Sequence, residues 1–168
     1  MISRGIRLFG FLALALAATL TEAAVMRLDD SASPRSRVPA QVILGDNGRP
    51  FAQARGSSSI TLKFGTVDYR LATAAFVGRR ARIFYVVAPF VPGLSSPDAL
   101  RIDWRGLNGF ASGSARPGER TLVWSGVVNN AWLNESLEVT MRLDPRQYRP
   151  RRQTPFAVDS YFEIETLP

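Results

Sequence analysis

The sequence predicts an all-β protein, an antiparallel sandwich of about seven or eight strands behind a cleaved N-terminal signal. Three observations carry this. Apolar residues recur at every second position from Gln41 onward. Gly, Pro, Asn and Asp clusters punctuate these runs about every ten residues, the spacing of short strands joined by tight turns. No stretch beyond the first 23 residues keeps a helical period; Ala72–Ala75 is the only helix-friendly spot, and it is short.

The chain opens with Arg4 and Arg7, then an uncharged apolar run from Leu8 to Leu20, then the small residues of Thr21-Glu22-Ala23. That order is the pattern of a secretory signal cut near Ala23–Ala24. The uncharged run falls short of the roughly 20 apolar residues of a transmembrane helix, and no later run is long enough to span. With no Cys in the chain, lipid attachment behind the cleavage point is excluded as well. Residues 24–40, polar and broken by Pro34, read as a flexible lead-in.

Residues 41–168 read as the sandwich. Gln41–Leu44 is a short apolar run closed by the turn Gly45-Asp46-Asn47-Gly48. Ile60, Leu62 and Phe64 share one face of the next strand. Val67, Tyr69 and Leu71 form another alternating run after Gly65. Ile83–Val87 is continuously apolar and β-branched or aromatic, as in a central strand covered on both faces. Leu100, Ile102 and Trp104 alternate with Arg101, Asp103 and Arg105, and a Gly- and Ser-rich connection follows from Gly106 to Gly118. Thr121–Val128 is a strand with Gly126 as an expected bulge. Asn129–Glu135 reads as a loop, and Leu137, Val139, Met141 and Leu143 give the cleanest half-buried alternation in the chain. An Arg- and Pro-rich loop spans Pro145–Pro155. The last strand points Val158, Ser160, Phe162 and Ile164 to one face and Asp159, Tyr161, Glu163 and Glu165 to the other. Strands of this number and spacing suggest an immunoglobulin-like arrangement.

Composition removes most site chemistry. The 168 residues contain no His and no Cys. A Cys/His zinc site, a Ser-His-Asp triad and a Cys nucleophile are therefore out of reach, and the core must hold without disulfides. Lys and Arg number 21 against 14 Asp and Glu. All the cations but Lys63 are Arg, which fits codon bias in a GC-rich genome and leans towards a bacterial source. For an exported chain this charge points to anions of the cell envelope, or simply to solubility, rather than to nucleic acid.

Two groups of residues stand out as binding candidates. Trp132 with Asn129, Asn130 and Asn134 combines an aromatic face with amides, the pairing that stacks on a sugar ring and bonds its hydroxyls; the competing reading is that Trp132 folds back to cap the sandwich. Trp104 and Trp124 lie within strand alternation and read as core. Arg79 and Arg80, and Arg149, Arg151 and Arg152, are anion- or partner-binding candidates; solvated charge is their competing reading. No catalytic or metal-binding residue is assigned. Glu163 and Glu165 have the spacing of any two residues on one strand face. A Ser-Lys dyad on Lys63 lacks a placed serine, and Asp46-Asn47-Gly48 lacks the other ligands of a calcium loop.

The expected function is that of an exported, non-enzymatic sandwich of the bacterial envelope. It would act in structure, assembly or partner binding, without a cofactor, on an envelope protein or surface polymer. A donor-strand fibre subunit fits less well, because Asp29 and Asp30 interrupt the alternation of Ala24, Met26 and Leu28. A carbohydrate-binding module built on Trp132 is the alternative, and a carboxylate-based hydrolase the remainder.

Overall fold

A computed structural model describes residues 25–34, 38–50, 52, 56–149 and 156–168. The expected signal peptide, Arg151 and Arg152 lie outside these residues. Among the described residues there are nine strands: β1 (Val25–Arg27), β2 (Val42–Gly45), β3 (Ile60–Ala72), β4 (Arg80–Val87), β5 (Leu100–Gly106), β6 (Gly113–Ala115), β7 (Arg120–Val127), β8 (Trp132–Leu143) and β9 (Ser160–Thr166). They form a four-stranded sheet, β1-β9-β4-β7, and a five-stranded sheet, β2-β3-β8-β5-β6. Every pairing is antiparallel. Short 3-10 turns at Ala74–Phe76, Pro97–Ala99 and Pro145–Gln147 are the helical elements among the described residues. None is long and apolar enough to cross a membrane.

The sandwich predicted from alternation is present, but its strand order departs from the immunoglobulin one. In that order the first two strands lie side by side in one sheet. Here β1 and β2 belong to different sheets, and the first strand pairs with the last. The set β1-β9-β4-β7 facing β3-β8-β5-β6 is a double Greek-key, or jelly-roll, order with β2 added outside β3. Alternation within each strand is the same in both arrangements, so it cannot distinguish them; the long-range pairings do.

The core lies between the sheets. Leu71 and Leu137 from the five-stranded sheet meet Ile83, Val87, Phe162 and Ile164 from the other, all essentially without exposure. Phe162 sits at its centre, in ring contact with Tyr69, Tyr85 and Phe110.

β3 shows how a local feature keeps this pattern. The sequence reads Ser58–Phe64 and Val67–Leu71 as separate runs, yet they form one strand. Its inward residues are even-numbered at Leu62 and Phe64, then odd-numbered at Val67, Tyr69 and Leu71. Period-two geometry permits such a change only through an extra residue. The register against β8 shifts between Lys63 and Gly65, and Gly65 has φ of 71°. Glycine takes that conformation without a Cβ penalty.

Other expectations are corrected by tertiary contacts. The lead-in is no loose segment where it is described. Val25–Arg27 is β1, and Leu28 is 2% exposed. The Leu28 N–H donates to Phe162 O at 2.8 Å, and the Ala72 N–H donates to Asp29 O at 2.9 Å. Asp29 accepts from the Ser31 N–H, and Ser33 Oγ accepts from the Arg70 N–H. Its polar side chains thus satisfy turn backbone, which makes the sequence look like coil. The bulge in β7 falls at Val123, because Trp124 pairs with Ile83 and Leu122 with Phe84; Gly126 stays in register opposite Ala81. The Gly/Ser connection contains β6, and Trp132 begins a strand instead of lying in a loop.

Candidate functional site

Two concave regions among the described residues bear on a site. The larger, about 700 Å³, opens between the sheets on the β1–β9 and β3 side. β3 supplies Leu62, Phe64, Val67 and Tyr69, and β8 supplies Val139 and Met141. Tyr85 of β4 and Ser160 of β9 face them from the other sheet. The segments around Val38–Ala40 and Phe156–Asp159 form the remaining walls. The cleft is half-open and mixes apolar with polar side chains, and its volume falls within the range of small-ligand sites.

Two of those polar groups are paired: Tyr85 Oη donates to Ser160 Oγ at 2.9 Å, and the Tyr69 phenol lies beside that of Tyr85. Burial raises both phenol pKa values above the usual tyrosine range, because the charged form loses its solvation. Both tyrosines are therefore neutral at physiological pH. The charged residues lining the cleft are Arg27, Asp30 and Asp159. Arg27 is held over the Tyr161 ring, 4.3 Å from its centroid.

The smaller hollow, about 310 Å³, lies where β8 begins. It gathers the sequence candidates Trp132, Asn129, Asn130 and Asn134, and adds Thr73, Trp124 and Leu133. Trp132 is 39% exposed, and the Arg70 guanidinium covers one ring face at 4.6 Å. Thr73 Oγ1 donates to Asn130 O at 2.7 Å and fixes the connection before β8. Trp124 was expected in the core. It packs against the core but is only half-buried, and its ring borders this hollow.

The described arginine candidates, Arg79, Arg80 and Arg149, do not converge. Arg79 and Arg80 are exposed at the start of β4, next to Val128, whose N–H donates to Arg79 O at 2.9 Å. Arg149 lies beyond the far end of β8, its N–H donating to Gly93 O at 2.8 Å. The length of β8 separates them.

Most of the described acidic side chains are engaged by donors. Arg120 bridges Glu163 at 2.9 Å and Glu165 at 3.1 Å, and its guanidinium lies 3.4 Å from the Phe84 ring centroid. One cation thus pairs with both carboxylates and covers the outer side of β4. Asp103 lies between Arg101 at 2.8 Å and Arg142 at 3.4 Å. Ser58 bonds Asp46 through both its N–H and its hydroxyl, each at 2.9 Å, so it is committed away from Lys63. Among the described residues no three Asp or Glu side chains gather as a metal site.

One residue that matters to the architecture was missed as such. Glu135 is 2% exposed. Its Oε1 accepts from the Leu107 and Asn108 N–H groups at 3.1 and 2.9 Å, and its Oε2 accepts from the Phe110 N–H at 2.9 Å. The sequence signal was present: Glu135 occupies an inward position once the alternation of Leu137–Leu143 is extended backward by one step.

No protein-family model matches the chain, and no curated protein or solved structure shows significant similarity to it.

Proposed function

We propose that this chain is an exported, non-enzymatic β-sandwich of the bacterial envelope that works by binding. The observation that carries this reading is the cleft between the sheets, a half-open space of about 700 Å³ lined by apolar and polar side chains of both sheets. The pairing of Glu163 and Glu165 with Arg120, of Asp103 with Arg101 and Arg142, and of Glu135 with backbone N–H groups supports the non-enzymatic part for those carboxylates, since catalysis needs acid–base groups free to face a substrate. The signal-like first 23 residues support export.

The test replaces Ala40, at the cleft, with p-benzoylphenylalanine in the full chain, and irradiates intact cells. A discrete adduct on the exported protein is expected, with no such adduct when Arg105 on the outer sheet face is replaced instead. Absence of any adduct at Ala40, or a chain that retains Met1 in the cytoplasm, would overturn the proposal.

A second reading, a carbohydrate-binding module, is favoured by the hollow that brings Trp124 and Trp132 together with Asn129, Asn130 and Asn134. Glycan addition should then change Trp fluorescence, and Trp132→Ala should weaken binding about five- to thirtyfold, since loss of a stacked ring costs about 1–2 kcal/mol. Binding that Trp132→Ala leaves unchanged dismisses this site.

A further inference from the structure

We infer that the start of β8, beside the Trp132 hollow, is a strand-addition site that takes an extended acidic segment of a partner polypeptide. It lies apart from the cleft, so the outcome at Ala40 does not decide it.

Backbone direction carries the argument. In an antiparallel sheet, successive residues of a strand turn their N–H and C=O groups to opposite neighbours. The Thr73 N–H donates to Ala131 O at 2.9 Å, so the odd-numbered residues of β8 bond β3. The Leu107 N–H donates to Ser136 O at 3.0 Å, so the even-numbered residues face the β5 side. β5 pairs with β8 only as far as Gly106, opposite Leu137. Trp132 and Asn134 therefore turn their N–H and C=O groups to a position beyond the end of β5, and no strand or loop backbone fills it among the described residues. An open edge of this kind is a template for another strand. Other edges are blunted. Pro50 bridges Leu44 of β2, and the bulge of β7 at Val123 gives its C=O to the Ala111 N–H. Trp132–Asn134 holds no Pro, bulge or charge.

Side-chain direction sets what the edge recognises. Leu133 pairs with the fully buried Leu71 and points inward, while Trp132 and Asn134 point outward. An added antiparallel strand places one residue opposite Leu133, and that residue enters the hollow against Leu133, Trp124 and Val128. This position suits an aliphatic side chain. The residues on either side of it face outward, towards cations. Arg70 lies opposite Asn134 in register and 4.6 Å from the Trp132 ring centroid. Arg79 and Arg80 are exposed beside Val127 and Val128, which border the hollow. None of these three arginines has an acidic partner among the described residues. Their charge selects an acidic segment over a basic one. Main-chain hydrogen bonds then supply affinity and the alternate side chains supply specificity. A sugar ring stacked on Trp132 would leave the edge groups unused.

The experiment adds acetyl-Gly-Glu-Val-Glu-Gly-amide, at millimolar concentration, to the isotope-labelled exported full chain and follows amide NMR and hydrogen exchange. In the free chain the Trp132 and Asn134 amides should exchange rapidly, while those of Leu133 and Glu135, turned to β3, are protected. The peptide should slow exchange at Trp132 and Asn134 about tenfold, the worth of one hydrogen bond each. Replacing both Glu of the peptide by Lys should weaken binding about fivefold or more. Asn134→Pro removes an edge donor that bonds nothing in the fold, and should abolish binding. Should Asn134→Pro fail to fold by circular dichroism, Arg70→Glu combined with Arg80→Glu, both exposed, should reverse the preference between the two peptides. Trp132 and Asn134 amides already protected in the free chain overturn the inference, as does equal binding of both peptides or of neither. Chitotetraose that shifts the Trp132 ring signals where neither peptide binds would assign the hollow to glycan and overturn it too.

Discussion

Replacing Glu135 with Ala is expected to destabilise the protein by about 4 kcal/mol, the sum of lost charge-assisted hydrogen bonds and stranded donors. Burying a carboxylate is costly, and here three backbone N–H groups from one loop offset the cost. The loop is wrapped closely enough that a Cβ on Gly106 would fall 1.9 Å from Phe110 O. Without the carboxylate, the Phe110 N–H loses its acceptor in a buried setting, and its ring, 5.5 Å from that of Phe162, loses its anchor to the core. Glu135→Gln keeps one acceptor oxygen and turns an amide NH2 towards a backbone donor, so about half the loss is expected, roughly 2 kcal/mol. Urea unfolding at pH 7, followed by Trp fluorescence, measures both. Two variants within about 0.5 kcal/mol of the parent, the usual range of a surface change, would refute the role assigned to Glu135.

The second large effect is alkaline. Tyr69 and Tyr85 have pKa values raised by burial, so the folded state keeps two protons that the unfolded state releases near pH 10. Their contribution is fully present below about pH 10 and is lost as pH rises from there towards the folded values. Each tyrosine adds a slope of about 1.4 kcal/mol per pH unit, so the pair lowers stability by nearly 3 kcal/mol per unit in that window. The double variant Tyr69→Phe, Tyr85→Phe should be less stable at pH 7, because the bond to Ser160 is gone, by about 1–2 kcal/mol. It should also lose stability less steeply above pH 10. Denaturant titrations at pH 7, 10 and 11 would show converging or crossing curves; parallel curves would refute the assignment.

The legibility of the fold divides by distance along the chain. The run Leu137–Leu143 is readable because each inward residue is two positions from the next, and the structure keeps every one of them buried. Ile83–Val87 is readable as an interior strand, and β4 does lie between β9 and β7. What covers its outer face is not a further layer but Arg120, placed over Phe84 by strand pairing. The candidate site was half legible. Trp132 and three asparagines lie within six residues, so sequence alone groups them, while Trp124 joins them only through the sheets. The cleft was not legible at all. Its lining comes from six strands and the segments beside them, and no local pattern states how far two sheets stand apart.

By itself, then, the sequence determined the strand-forming character of residues 41–168, the inward faces of most strands, and a chemistry without His or Cys, because alternation and residue type are local properties. Tertiary structure decided the jelly-roll order, the incorporation of Val25–Arg27 as an edge strand, the bulges at Gly65 and Val123, and the burial of Glu135. Each of these depends on which distant strand supplies the next hydrogen bond, and period-two alternation is the same whichever neighbour that is.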